Sequence, residues 1–216
     1  RISERAWRQG KDSTEWCMFV EVGKQVKFMD LLCGIIIQSG NDATVAVSDH
    51  IAGSEDVFAE LMNQYAKKLG LKNSHFADAS GMPNPEHYTT AHDLTLLGRA
   101  LIRDFPEAYK IFSEREFVFH GIRQGNRNLL LDMDPSVDGI KTGHTEAAGY
   151  CLLSSAMKDG RRLIAAVMGD VSTKERANNS RALLGYGFRF FETVPMFGPG
   201  QPAGVIQVWK GNGQKL

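Results

Sequence analysis

A chain of 216 residues, 43% of them hydrophobic, is long enough to bury one substantial core and part of a second. Its 25 basic and 25 acidic side chains cancel, so no net field draws it to nucleic acid or to an anionic membrane. The longest apolar runs, Leu31 to Ile37 and Leu163 to Met168, fall short of the roughly 18 to 20 residues that a membrane helix needs.

The chain opens with Arg1-Ile2-Ser3-Glu4-Arg5, with no Met and no hydrophobic signal region, as expected where an export signal is absent or was removed with upstream sequence. The start has a strand-like pattern that is interrupted from Asp12 to Trp16. Phe28 to Ser39 is apolar on nearly every side, which predicts a helix buried in the middle of a domain. It stops at the turn-forming triplet Ser39-Gly40-Asn41, and an apolar pattern resumes from Ala43 to Ala52, so the triplet joins two packed helices. Ser54 offers an N-cap to an amphipathic helix with Val57, Phe58, Leu61, Met62, Tyr65 and Leu69 on one face, and Gly70 sits where a C-terminal cap belongs.

Residues 80–88 form a loop by composition, and Thr90 with Asp93 resembles a capping box that opens a helix through Leu94, Leu97, Leu101 and Ile102. After Glu116 the period changes to two. Phe117-Val118-Phe119 reads as a strand, and Gly149 to Met157 with Arg162 to Gly169 reads as a hairpin turning at Lys158-Asp159-Gly160-Arg161. Thr173 to Phe191 predicts a last helix burying Ala177, Leu183, Leu184, Phe188 and Phe191. Glu192 to Pro202 suits a linker, and Val205 to Trp209 is one further short strand, too little to fold alone. The expected domains are therefore 1–193 and, at 194–216, a linker with the start of a C-terminal β-rich domain.

Cys17, Cys33 and Cys151 are odd in number and unrelated in spacing, which argues for isolated thiols rather than a disulfide framework or a zinc site. His50, His75, His87, His92 and His120 match no metal pattern, so no metal or other cofactor is expected. Taken alone, Ser39-Gly40-Asn41 is an ordinary turn, and Lys141-Thr142-Gly143 is a solvated lysine before a strand-starting glycine. Their context gives them weight. The first lies between two apolar helices and the second opens a hairpin after a loop, so helices packed on an antiparallel sheet would bring the two points together. One decoy exists: Ser155-Ala156-Met157-Lys158 has Ser-x-x-Lys spacing, but on a strand residues i and i+3 face opposite sides.

The strings Gln38-Ser39-Gly40-Asn41-Asp42-Ala43, Gly121-Ile122-Arg123-Gln124, Asn126-Arg127-Asn128, Val137 to Thr145 and Gly187 to Glu192 resemble the low-molecular-mass penicillin-binding proteins that act as D-alanyl-D-alanine carboxypeptidases, of the penicillin-binding protein 5/6 type. The likeness runs from about Arg1 to Val194. His144 after Lys-Thr-Gly points to the carboxypeptidase branch rather than to β-lactamases. The resemblance implies an α/β (α+β) fold of the serine β-lactamase and penicillin-binding transpeptidase type, an antiparallel sheet packed with helices.

It also implies acyl transfer through a serine acyl-enzyme on a peptidoglycan stem peptide ending in D-Ala-D-Ala, with β-lactams as covalent inhibitors. Ser39 would relay a proton to the leaving amine, Asn41 would hold the base and the substrate backbone, and Lys141 would supply positive charge beside Ser39. Thr142, Thr145 and Arg127 would bind the terminal carboxylate, with Arg123 able to exchange roles with Arg127. Gly143 belongs to the same substrate-binding strand, and the backbone N–H of His144 would be an oxyanion donor. The nucleophilic Ser-x-x-Lys of that family does not lie between Arg1 and Ser39. The expectation is thus an N-terminally truncated periplasmic carboxypeptidase, itself inactive as given, with any membrane tether in sequence beyond Leu216. The alternatives are a non-catalytic peptidoglycan-binding module and, third, a β-lactamase.

Overall fold

Ser3 turns the opening residues into a helix. Its hydroxyl accepts the Ala6 N–H at 3.1 Å and donates to Asp49 at 2.7 Å, so one side chain both caps helix α1 (Glu4–Asp12) and ties it to helix α3 (Asn41–Ala52). The strand-like pattern predicted here gives way to this cap and to burial of Ile2 and Ala6 in a core with Met18, Leu31, Val45 and Ala46. The computed structural model describes residues 1–12, 16–194, 196–198 and 200–201. The expected strand Val205 to Trp209 lies outside the described residues, as does most of the Asp12 to Trp16 interruption.

Helix α2 (Phe28–Cys33) runs into a π-helical turn, Gly34–Gln38. The prediction of burial on every side holds for one stripe only. Leu31, Gly34 and Ile37 are buried, whereas Phe28 and Met29 are 47% and 54% exposed. Helix α4 (Glu55–Leu69) carries its predicted ends: Ser54 accepts Val57 N–H at 3.3 Å and Gly70 closes it at φ 78°. Its buried stripe is Ala59 and Ala66, small residues that let it lie close to its neighbours, and Val57 and Tyr65 face outward. Thr90 caps α5 (Ala91–Asp104) through Asp93 N–H at 3.2 Å. The Asp93 carboxylate turns instead to Asn73 and Ser74, so only half of the capping box forms.

A short helix α6 (Pro106–Tyr109) and a 3₁₀ turn (Lys110–Ser113) lead to the antiparallel pair β1 (Glu116–Phe119) and β2 (Ile122–Gly125). After α7 (Leu130–Met133), three strands form an antiparallel sheet in the order β3 (Val137–Thr145), β4 (Gly149–Lys158), β5 (Arg161–Asp170). The β4–β5 turn falls where predicted, with Asp159 and Gly160 both at positive φ, 51° and 74°, as a twist-matched two-residue hairpin requires.

Successive residues of the sheet divide between two cores. Leu152 and Ala165 pack with α7 and helix α8 (Thr173–Phe190), while Leu153 and Ile164 pack with α5 and Tyr109. Helix α5 approaches so closely that a Cβ on Gly98 would sit 2.9 Å from Ile140 Cδ1. On α8, Ala177 and Leu184 are buried and Phe188 packs against the core, as predicted. Leu183 and Phe191 are 45% and 60% exposed, because the buried stripe runs through Arg176, Ser180 and Leu184 instead. Among the described residues no helix is long and apolar enough to cross a membrane.

Candidate active site

Ser39 ends the π-turn in a left-handed conformation, φ 65° and ψ 38°, a strained state for a residue with a Cβ. The surroundings hold it there. Gly40 N–H returns to the Gly34 carbonyl at 3.0 Å, and Asn41 N–H reaches the Trp16 carbonyl at 2.8 Å. The next residue, Asp42, is fully buried and its carboxylate accepts the N–H groups of Met18 at 2.8 Å and Val20 at 3.1 Å. Charge-assisted bonds of that kind fasten the start of α3 to the extended segment beside it.

From the other side, Lys141 of β3 donates a hydrogen bond from Nζ to Ser39 Oγ and another to the Thr142 carbonyl at 3.0 Å. Crowding by protein atoms, together with the charges of Arg127 and Arg176, pushes the Lys141 ammonium down to about 8. Arg127 lays its guanidinium 3.9 Å from the Trp16 ring centre and donates from Nε to the Gln38 carbonyl at 2.8 Å, bracing the π-turn. The site is therefore cationic and held rigid just behind Ser39.

The remaining predicted residues lie along the same strand or at its rim. Thr142 is buried, Gly143 is exposed, and the His144 ring stacks on Tyr150 at 4.0 Å between centroids. Thr145 Oγ1 accepts the Ala148 N–H at 3.0 Å, which leaves its own hydroxyl hydrogen to donate elsewhere. Asn41 reaches across to the loop before α5, its Nδ2 standing 3.9 Å from Met82 Sδ. Arg123 is drawn away to Glu116 at 2.9 Å, so Arg127 is the arginine beside Lys141. Ser155 is fully buried under Arg162 Nη1 at 2.5 Å, whereas Lys158 is exposed at the turn, so the decoy pair does not meet.

Sequence reasoning missed Arg176. Only 4% exposed, it donates to the carbonyls of Gly143 at 3.2 Å, Cys151 at 3.3 Å and Arg127 at 3.4 Å, and its burial pushes the guanidinium below its ordinary value. It locks β3, β4 and the Arg127 segment to α8. The signal that could have found it is its helical spacing with Ser180 and Leu184, an arginine placed inside an apolar stripe.

The arrangement offers a proton-bearing Lys–Ser pair beside a strand edge. Among the described residues β3 has a sheet neighbour, β4, on one side only, so alternate backbone N–H and C=O groups of Val137–Thr145 face outward, where an extended peptide could pair with them.

Comparison with known proteins gives the family and the fold. Residues 1–172 match the family model described as D-alanyl-D-alanine carboxypeptidase. The chain is 48% identical over 217 residues to D-alanyl-D-alanine carboxypeptidase DacA of Escherichia coli, covering 99% of this chain and 54% of the relative. It is 37% identical to DacF of Bacillus subtilis, covering 98% and 54%. Among solved structures it resembles penicillin binding protein 5 from Haemophilus influenzae, with a TM-score of 0.91, 43% identity, and coverage of 99% of this chain and 62% of that one. The helices packed on an antiparallel sheet are thus the penicillin-binding-protein fold, and the chain spans about half the length of the curated relatives it matches. The chain belongs to the D-alanyl-D-alanine carboxypeptidase family.

Proposed function

We propose that the protein carrying this chain is a serine-type carboxypeptidase that removes the terminal D-alanine from peptidoglycan stem peptides and is acylated by β-lactams. The observation that carries this reading is the hydrogen bond from Lys141 to Ser39, which joins the two motif residues at the edge of β3. When the serine of the family's Ser-x-x-Lys motif attacks the bond between the two D-alanines, the departing amine needs a proton. Ser39 can give up its hydroxyl proton to that nitrogen and take one from Lys141, whose affinity for a proton, near 8, is close enough to neutral for both donation and recovery.

Asn41, one residue into α3, would hold the substrate backbone over this pair. Thr142, Thr145 and Arg127, in a site already carrying Lys141 and Arg176, favour the anionic C-terminus that such a peptide presents. The backbone N–H of His144, on the edge strand β3, would donate to the oxyanion, an interaction worth roughly 3 to 4 kcal/mol in related acyl transfer. Trimming of this kind belongs to the bacterial periplasm, at the inner-membrane face, and residues 194–216 would lead from the 1–193 domain into a second, β-rich one.

The test is release of D-alanine from a peptide ending in D-Ala-D-Ala by the complete protein, with intact-mass detection of a penicillin adduct. Release with adduct formation is expected. The only Ser-x-x-Lys in the 216-residue chain is the one at Ser155, which is buried and apart from the exposed Lys158, so this chain alone should form no adduct. Saturable binding of the peptide by the complete protein with no D-alanine released would replace the enzyme with a binding module.

A further inference from the structure

The loop between α4 and α5 is anchored from both helices. Asn63 of α4 brackets Phe76, donating to its carbonyl at 2.8 Å and accepting its N–H at 2.8 Å. Asp93 of α5, 1% exposed, accepts the Asn73 N–H at 2.8 Å and the Ser74 hydroxyl at 2.7 Å. Just after these anchored residues the four successive N–H groups of Ala79, Ser80, Gly81 and Met82 all end on two carboxylates. Glu55 accepts the first at 3.2 Å, and Asp78 Oδ1 accepts the other three at 2.8, 2.5 and 3.3 Å.

Glu55 is itself paired with Arg5 at 2.5 Å, and the second oxygen of Asp78 faces His87 Nδ1 at 3.5 Å across the loop. Partial burial works against the Asp78 charge, but the neighbouring His87 and the bonds from the N–H groups of Gly81 and Ser80 hold its carboxyl down to about 2, so it stays ionised near neutrality. A short turn closed by a carboxylate in this way has one defined geometry. Its product is Met82, half exposed and lying against the Asn41 side chain.

We infer that Asp78, backed by His87, is a positioning residue of the substrate site: it fixes the turn Ser80 to Met82 so that Met82 stands beside Asn41 as a wall against the peptide portion of the substrate. Asp78 touches no reacting atom and acts through Met82. Without it, three N–H groups lose their common acceptor, the turn opens, and the surface next to Asn41 loses its shape. This rests on the carboxypeptidase function proposed above.

The test uses the full-length protein with D78A, D78N, M82A and the D78A/M82A double variant, in steady-state D-alanine release from a D-Ala-D-Ala peptide. D78A and M82A should each raise KM about tenfold with kcat within about twofold, the signature of lost binding that is shared by ground and transition states. D78A should add nothing in the M82A background, because both act through one contact. D78N keeps an oxygen that accepts the same N–H groups and should recover most of the affinity. Amide exchange at Ser80, Gly81 and Met82 should quicken in D78A while the sheet stays protected, which separates loop release from unfolding. An active wild type with D78A unchanged, or with D78A lowering kcat alone or adding its full effect to M82A, overturns this inference. A wild type that releases no D-alanine overturns the carboxypeptidase function and this inference together.

Discussion

Lys141 and Ser39 stand 102 positions apart in the chain, on a strand and at a helix end, and one hydrogen bond joins their side chains. The bond costs the fold something. It holds an ammonium in a crowded site with two guanidinium groups as electrostatic neighbours, so the fold disfavours the charge that the proposed proton relay requires. Function and stability therefore oppose each other at this residue.

Replacing Lys141 with Met should separate the two. The variant of the complete protein is expected to lose about 10²- to 10⁴-fold in the rate of D-alanine release, the range for removing a proton-transfer group. Its thermal midpoint should stay level or rise, because a poorly solvated charge has been exchanged for an apolar stem of similar length. Stopped-flow acylation and calorimetry on the same preparation check both halves, and a midpoint that falls with activity would sink the idea that this charge burdens the fold.

The same opposition fixes the pH dependence. Burial holds the Lys141 ammonium down to about 8 in the fold against about 10.4 in an unfolded chain, so between these values the unfolded state binds more protons and stability from this group rises with pH. The charged form destabilises the fold at and below pH 8, and that penalty fades as pH approaches 10. Activity should run the other way, with kcat/KM falling along an alkaline limb centred near 8. Arg127→Ala removes one like charge and should move the limb upward. A limb that stays in place would mean that another group titrates.

Much of this was legible in the chain, and what was not has identifiable causes. Ser54, Gly70, Thr90 and the Asp159-Gly160 turn act within a few residues of themselves, so local chemistry announces them. The two motifs are visible as strings, but the left-handed turn at Ser39 depends on Asp42 reaching Met18 and Val20 and on Arg127 reaching Gln38 and Trp16, contacts that no local pattern encodes. Tyr65 and Leu183 misled because an apolar stripe predicts one buried face, while tertiary packing chose the small residue Ala66 and the stripe through Arg176. The strand-like start failed because Ser3, a single capping residue, outweighs a short alternation.

Arg176 should matter chiefly to the fold. Its guanidinium serves three carbonyls that belong to β3, β4 and the Arg127 segment, and removing it takes that shared donor from all three. Arg176→Met is expected to cost about 2 to 4 kcal/mol, read as a lower urea midpoint at unchanged slope. Arg176→Lys should recover little, because one ammonium cannot present the planar fork that spans separate carbonyls. Full recovery by lysine would show that charge rather than geometry holds these segments.

Gly34 offers a test of the packing behind Ser39. An Ala in a helix interior normally gains about 1 kcal/mol over Gly. Here a Cβ would run into the Met18 side chain, chiefly its sulfur, and Met18 has little room to retreat: it is fully buried, with its N–H on Asp42 at 2.8 Å and its carbonyl accepting from Gln124 at 3.4 Å. Overpacking of that kind costs about 1 to 3 kcal/mol, so Gly34→Ala should destabilise. Met18→Ala alone should cost about 2 to 5 kcal/mol by leaving a cavity. In that background the sign should reverse, because the new methyl group enters the emptied space and the helix gain reappears. Urea denaturation of the two single variants and the double variant reads the coupling, and additive costs would mean that the helix shifts away from Met18 instead of pressing on it.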